Sequence, residues 1–145
     1  MEYILNSLDG SILKIELNRP KKRNALTLDM YTEFAGLLNT AQTQSEIRVV
    51  LVSAAGDNYS PGNDLQDFLD HPPGSGDSPQ KQLIDALRIF DKPLVGAVRG
   101  AAVGSGATML TYFDFTGCSQ SFQTTSAPSI STTCRTGYPG RIGGV

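Results

Sequence analysis

Two glycine-containing loops are the parts of this sequence whose residue types could do chemistry. The first is YSPGNDL at 59–65, and the second is the small-residue run from Gly100 to Gly106. Glycine lets a backbone approach a ligand closely, and backbone N–H groups at a strand-to-helix turn can point together at one oxygen. Two such turns side by side could hold a thioester oxygen as it becomes an enolate, a geometry that spacing does not show. Spacing alone favours the alternative, two ordinary loops with glycines at helix starts.

The first part of the chain predicts a hairpin followed by a helix. Apolar runs at 3–5 and 12–17 flank the turn signal Asp9-Gly10, which indicates two antiparallel strands. Apolar side chains then recur at helical spacing, so we expect a helix near 27–42, capped by Thr27.

The elements that lead into the two loops are short apolar strands. Residues 48–52 predict a strand buried on both faces, and residues 93–98 predict another that runs into the second loop. A helix is expected at 81–90, and a further helix should run from the second loop toward Phe113. This alternation predicts an α/β layered domain.

Composition changes abruptly near residue 115. After Asp114 there is no Asp, Glu, Lys or Leu, and Ser and Thr become frequent. Such a segment cannot present a dense apolar face, so we expect a core domain at 1–114 and a divergent, weakly ordered tail at 115–145.

Charge, hydropathy and cysteine usage exclude several function classes. The formal net charge is −2 without a basic stripe, so no nucleic-acid partner is expected. The apolar runs are too short for a membrane span, and no secretory signal is visible, so we expect an intracellular soluble protein. Its expected compartment is the cytoplasm by default, and the peroxisome and the mitochondrion are not excluded. His71 is the only histidine, so no metal site is expected. An intracellular chain also argues against a disulfide between Cys118 and Cys134.

Other motifs give weaker signals. The sequence has neither GxGxxG nor a P-loop, and Ser105 lacks the GxSxG context of a nucleophile elbow. The basic run 21–23 fits either a solvated face or a phosphate contact. His71 is expected to be a solvated loop residue, and the acidic set Asp64, Asp67 and Asp70 is expected to be a helix face in water.

Three segments, in order, resemble the enoyl-CoA hydratase/isomerase (crotonase) superfamily. They are NRPKKRNAL at 18–26, YSPGNDLQDF at 59–68 and KPLVGAVRGAAVGSGATML at 92–110. The resemblance is greatest to the Δ3,Δ2-enoyl-CoA isomerase branch and spans residues 3–114. It implies a spiral of ββα units, here truncated and followed by an irregular C-terminal segment. It also implies action on acyl-CoA thioesters, with no cofactor other than the coenzyme A of the substrate.

The resemblance also implies which residues form the site. The backbone N–H groups of Asn63 and Ser105 would form the oxyanion hole, and a double bond would shift from Δ3 to Δ2 through a thioester enolate. The residues that would line the coenzyme A groove come from two segments: Lys22, Arg23, Asn24, Ala25, Ser60, Gly62, Asp64 and Leu65.

The sequence departs from the family pattern at its proton-transfer groups. Thr108 stands where hydratases place a glutamate, which disfavours hydration. Near the isomerase glutamate position the sequence has Cys134-Arg135-Thr136, and no carboxylate follows Asp114. Serine, threonine and arginine are poor general bases at neutral pH.

Two functions therefore stay open for this chain. One is an enoyl-CoA isomerase-like protein, and the other is a non-catalytic acyl-CoA-binding module or truncated remnant. Family members continue well beyond this length, so we expect their homo-oligomer contacts to be lost and an apolar face to be exposed. A truncation or an altered reading frame would explain the composition of the tail. Translation of the encoding DNA in all three frames tests this hypothesis, and the absence of a family-like continuation in every frame would refute it.

Overall fold

A mostly parallel sheet is the framework of the computed structural model, which describes residues 2–72, 74, 76–119, 123–124 and 134–135, the last pair by backbone only. Six strands follow the order β1 (Ile4–Asp9), β2 (Ile12–Leu17), β3 (Val49–Ala54), β4 (Leu94–Val98), β6 (Phe115–Cys118) and β8 (Cys134–Arg135). A second, short parallel pair joins β5 (Ala101–Ala102) to β7 (Gln123–Thr124). The α/β class is therefore confirmed.

The hairpin at the start of the sheet is confirmed. Strands β1 and β2 are antiparallel, with Asp9 opposite Ile12 across the turn. Gly10 has a φ of +60°, which is a conformation that glycine adopts without the steric penalty of a side chain. All other neighbouring strands of the large sheet are parallel.

Four α-helices connect the described strands: α1 (Leu28–Thr43), α2 (Leu65–Asp70), α3 (Pro79–Ile89) and α4 (Ser105–Leu110). Helix α1 begins where the sequence predicted, because the Thr27 side chain accepts a hydrogen bond from the N–H of Met30 at 3.2 Å. Ser78 caps α3 in the same way, and Pro79 occupies its first turn.

The core lies on one face of the sheet. Val50 and Val52 are fully buried in one apolar cluster with Phe34 and Leu38 of α1. Successive strand residues point to opposite faces, and the alternate residues of β3 are only partly buried. The prediction that this strand is buried on both faces is therefore wrong for the second face.

The sheet continues beyond Asp114, because β6 pairs with β4 from Phe115 to Cys118. The division of the chain into 1–114 and 115–145 stays a prediction, since most of the tail lies outside the described residues.

Cys118 is disulfide-bonded, so the expectation against a disulfide is wrong for this residue. The backbone of Cys134 lies beside Thr116, because β6 pairs with β8. Within the described part of the chain, no helix is long and apolar enough to span a membrane.

Candidate functional site

The two glycine loops lie side by side at one edge of the sheet. They follow β3 and β4, which are parallel neighbours and so end at the same edge. Backbone hydrogen bonds join the loops: the N–H groups of Tyr59 and Ser60 donate to the Ala101 carbonyl at 3.0 Å, and Val103 N–H donates to the Ser60 carbonyl at 2.9 Å. The loops are thus held together by main-chain atoms.

Two glycines make this close approach possible. Gly62 has a φ of +97°, and a Cβ there would lie 3.2 Å from the backbone nitrogen of Ser105. A Cβ at Gly106 would lie 2.6 Å from the carbonyl oxygen of Ser60, a distance that real Cβ atoms essentially never show. Any larger residue at either position would push the loops apart.

The N–H groups predicted to form the oxyanion hole lie on these touching loops. The backbone on either side of Asn63 is fixed, because Leu26 N–H donates to the Gly62 carbonyl at 2.8 Å and Asp64 N–H donates to the Leu26 carbonyl at 2.9 Å. Ser105 opens α4, where first-turn N–H groups have no helical acceptor. Within the described residues, neither the Asn63 nor the Ser105 N–H has a protein acceptor. Their convergence on one oxygen stays a prediction.

A polar side-chain cluster sits between the same two loops. The Tyr31 hydroxyl donates to Asn63 Oδ1 at 2.5 Å, and the Ser105 hydroxyl donates to the same oxygen at 3.4 Å. Burial raises the pKa of Tyr31, and the nearby Ser105 hydroxyl lowers that pKa by less. The helical spacing of apolar residues at 27–42 includes Tyr31, but this spacing does not reveal what the hydroxyl of a core tyrosine contacts.

Of the residues predicted to line the coenzyme A groove, the exposed ones fall in two places. Lys22 and Arg23 are exposed on the turn that precedes α1, Ala25 is half-buried beside them, and Leu65 is exposed at the start of α2. These side chains are free to meet a ligand, and their role stays a prediction.

Asn24 and Ser60 are instead fully buried and tie the loops together. The Asn24 amide nitrogen donates to the Ala55 and Asn58 carbonyls, each at 2.8 Å. The Ser60 hydroxyl donates to the Asn24 carbonyl at 2.8 Å and accepts from the Gly62 N–H at 3.1 Å. Their side chains are therefore engaged within the protein, and they act on the site by holding its backbone.

Asp64 also has a structural partner that the sequence did not indicate. Its carboxylate pairs with Arg19 at 2.5 Å, and both side chains are largely buried. The same carboxylate caps α2 by accepting from the N–H groups of Gln66 and Asp67. The Arg19 guanidinium holds the pKa of Asp64 below its usual range.

The expectation of a solvated acidic face on α2 is therefore only partly right. It is wrong for Asp64, and also for Asp67, which accepts from the Leu28 N–H at 2.7 Å and so links α2 to the start of α1. Asp70 is exposed, as expected. His71 is exposed at the end of α2, in agreement with its interpretation as a solvated residue.

No general base is evident at the position that hydratases use. Thr108 is exposed, and its hydroxyl donates to the Gly104 carbonyl at 3.1 Å within its own helix. Among the residues that the structure describes, no group of His, Cys, Asp or Glu could hold a metal ion. The site thus offers backbone donors and hydroxyl groups.

Solved structures define the class of this fold. An enoyl-CoA hydratase/isomerase from Pseudoalteromonas atlantica T6c aligns with a TM-score of 0.81 at 34% identity, covering 85% of this chain and 49% of the other. Pseudomonas aeruginosa OdaA aligns with a TM-score of 0.80 at 36% identity, covering 86% of this chain and 51% of the other.

The family follows from the sequence match. The model of the family described as "Enoyl-CoA hydratase/isomerase" matches residues 7–131, and the chain belongs to that family. The chain is 42% identical over 118 residues to enoyl-CoA delta isomerase 2 of Homo sapiens, which is 77% of this chain and 29% of the relative. It is 32% identical over 116 residues to 1,2-epoxyphenylacetyl-CoA isomerase of Escherichia coli, which is 75% of this chain and 44% of the relative. The chain thus spans less than half the length of these two relatives.

Proposed function

We propose that this chain is an enoyl-CoA isomerase-like protein that binds an acyl-CoA thioester and holds its carbonyl oxygen between the N–H groups of Asn63 and Ser105. The observation that supports it best is the contact between the two loops. A Cβ on Gly62 would lie 3.2 Å from the Ser105 nitrogen, and neither N–H has an acceptor among the described residues. Two unpaired donors on touching loops can serve one incoming oxygen.

The chemistry that such donors assist is enolate formation. A base removes a proton from C2 of a 3-enoyl thioester, and negative charge moves onto the thioester oxygen. Backbone donors stabilise this charge more than the neutral carbonyl, which lowers the barrier. Return of the proton to C4 places the double bond at C2 and completes the shift from Δ3 to Δ2. No separate cofactor takes part in this scheme, because coenzyme A arrives with the substrate.

Binding without turnover is the second candidate function, and one observation favours it. The proton transfer needs a positioned base, and residues 115–145 contain no Asp or Glu. Thr108 cannot replace a carboxylate, since its hydroxyl remains protonated at neutral pH. The same reasoning disfavours water addition. We therefore expect this chain to bind the thioester and to leave the double bond in place.

The test measures binding and turnover on the purified chain. Calorimetry with hexanoyl-CoA should detect binding, and incubation with 3-hexenoyl-CoA should give no absorbance of the conjugated 2-enoyl product. Binding together with conversion would instead support the isomerase. Absence of both binding and conversion would contradict the proposal. Hydration of crotonyl-CoA would show that Thr108 does not prevent water addition.

A further inference from the structure

The strongest feature beyond the backbone donors is the cluster of Tyr31, Asn63 and Ser105 side chains. Two of its members are the residues whose N–H groups are proposed to hold the thioester oxygen. The third, Tyr31, comes from α1 and is 4% exposed. The cluster therefore connects both oxyanion loops to a helix of the core.

The hydrogen bonds of this cluster all meet at one atom. Asn63 Oδ1 accepts from the Tyr31 hydroxyl at 2.5 Å and from the Ser105 hydroxyl at 3.4 Å. An amide oxygen has two lone pairs, so these two donors satisfy it completely. This arrangement fixes the Asn63 side chain and links the first glycine loop to Ser105 in the second.

We propose that Tyr31 is a positioning residue: it sets the spacing and direction of the Asn63 and Ser105 N–H groups, and thereby the preference of the site for ligands that carry a thioester oxygen. This inference rests on the proposed function, because it concerns the same oxyanion hole. It assigns to a core helix residue a role that neither loop can perform alone.

Tyr31 has the properties that such a role needs. Tyr31 is buried in the same apolar cluster as Phe34 and Leu38, so its hydroxyl has little freedom to move. A tyrosine hydroxyl is protonated at neutral pH, and burial raises the pKa of Tyr31 further, so this hydroxyl remains a donor. Donor sites work only when held within about 0.5 Å of the productive geometry, and a rigid helix supplies that support better than a loop.

The test compares two ligands that differ only at the carbonyl. Hexanoyl-CoA carries the thioester oxygen, whereas S-hexyl-CoA is a thioether that lacks it and still fills the coenzyme A groove. We expect the wild-type chain to bind the thioester roughly tenfold more tightly, from two modest hydrogen bonds. In Tyr31→Phe this preference should fall to about twofold, while affinity for the thioether stays unchanged.

Two further variants keep the test decisive. Ser105→Ala retains the backbone N–H and removes the longer hydrogen bond to Asn63 Oδ1, so it should lower the thioester preference less than Tyr31→Phe does. If Tyr31→Phe does not fold, Ser105→Ala tests the same side-chain cluster. Tyr112→Phe removes a hydroxyl from a half-buried tyrosine outside the cluster and should keep the full preference.

The possible results separate the two claims. A full thioester preference in Tyr31→Phe or, should that variant not fold, in Ser105→Ala would overturn the positioning role and leave the proposed function intact. Equal affinity of the wild-type chain for both ligands would overturn the oxyanion hole itself. An equal loss in Tyr112→Phe would also overturn the positioning role, because the effect would then not depend on Asn63.

Discussion

A methyl group at Gly106 would lie 2.6 Å from the Ser60 carbonyl oxygen and 2.9 Å from the Ser60 Cβ. The Ser60 carbonyl oxygen accepts from the Val103 N–H at 2.9 Å. The Ser60 Cβ carries the hydroxyl that donates to the Asn24 carbonyl and accepts from the Gly62 N–H, so a shift of either atom disturbs these hydrogen bonds. We therefore expect Gly106→Ala to destabilise the fold by about 2–4 kcal/mol and to weaken thioester binding. Chemical denaturation and calorimetry measure the two effects.

Gly36 provides the matched control for this substitution. It lies on the exposed side of α1, and a Cβ there would meet nothing within 4 Å. Alanine is the better helix former, so Gly36→Ala should stabilise the chain by roughly 0.5–1 kcal/mol. Equal stability of the Gly106→Ala and Gly36→Ala variants would show that the two loops do not require their close approach at Gly106.

The residues of the site differ in how well sequence can predict them. Asn63 and Ser105 follow from family motifs, and the structure places both on touching loops. Tyr31 and Arg19 were missed, because each acts through a partner far along the chain: Tyr31 contacts Asn63 and Arg19 contacts Asp64. A local sequence pattern shows which positions recur at helical or strand spacing. It does not show which distant residue a side chain contacts.

At the scale of elements, the ion pair between Arg19 and Asp64 fastens the first glycine loop to the segment before α1. Arg19 also donates to the Ala25 carbonyl at 3.0 Å, and its guanidinium lies 5.1 Å from the centre of the Tyr3 ring. The pair thus anchors the start of α2 beside the hairpin.

Asp64→Asn tests this fastening through its pH dependence. Asparagine still caps α2, so the substitution removes mainly the charge. The pKa of Asp64 is lowered in the folded chain, so the pair contributes stability above the ordinary carboxyl pKa near 4, and this contribution is lost as pH falls through the lowered value. We expect Asp64→Asn to cost about 2 kcal/mol at pH 7 and progressively less below pH 4.

Urea denaturation of wild-type and Asp64→Asn chains over pH 3–7 makes this comparison. Lys14→Gln is the control, because the Lys14–Asp9 pair is exposed and should contribute less than about 1 kcal/mol. A stability difference for Asp64→Asn that stays constant down to pH 3 would show that the charge of Asp64 is not the source of the effect.

Elements with local signals were predicted well, and elements that depend on distant contacts were not. The Thr27 cap and the Asp9-Gly10 turn marked α1 and the hairpin within a few residues. The pairing of β5 with β7 has no local signature, since Ala101–Ala102 is a two-residue strand inside a loop. Helix α2 was indicated only as a possible acidic face, because its short pattern is dominated by polar residues.

At the scale of the whole molecule, the far face of the sheet carries apolar side chains in register. Leu51 lies opposite Val95, and Val95 lies opposite Phe115, which is 47% exposed. Leu51 and Val95 are half-buried, so the expected exposed apolar face is seen in part, at Phe115. Loss of the family's oligomer contacts stays a prediction, as does the compartment in which the protein resides.

The fold class followed from motif order, whereas burial of the sheet did not. Alternating apolar runs predict strands, and three ordered motifs indicated the family that the comparisons confirm. How many layers cover a strand depends on chain segments far from it, which explains why β3 was expected to be buried twice. The α/β fold was therefore predicted more accurately than the number of sheet faces that are buried.

The most direct test of the central claim is the infrared spectrum of bound hexanoyl-CoA labelled with ¹³C at the thioester carbonyl. Two N–H donors pull electron density onto the oxygen and weaken the C=O bond, so the labelled stretch should move to lower wavenumber on binding. Tyr31→Phe should show a smaller movement, and Tyr112→Phe should match the wild type. A carbonyl stretch that is the same in the complex as in free solution would contradict the oxyanion hole formed by Asn63 and Ser105.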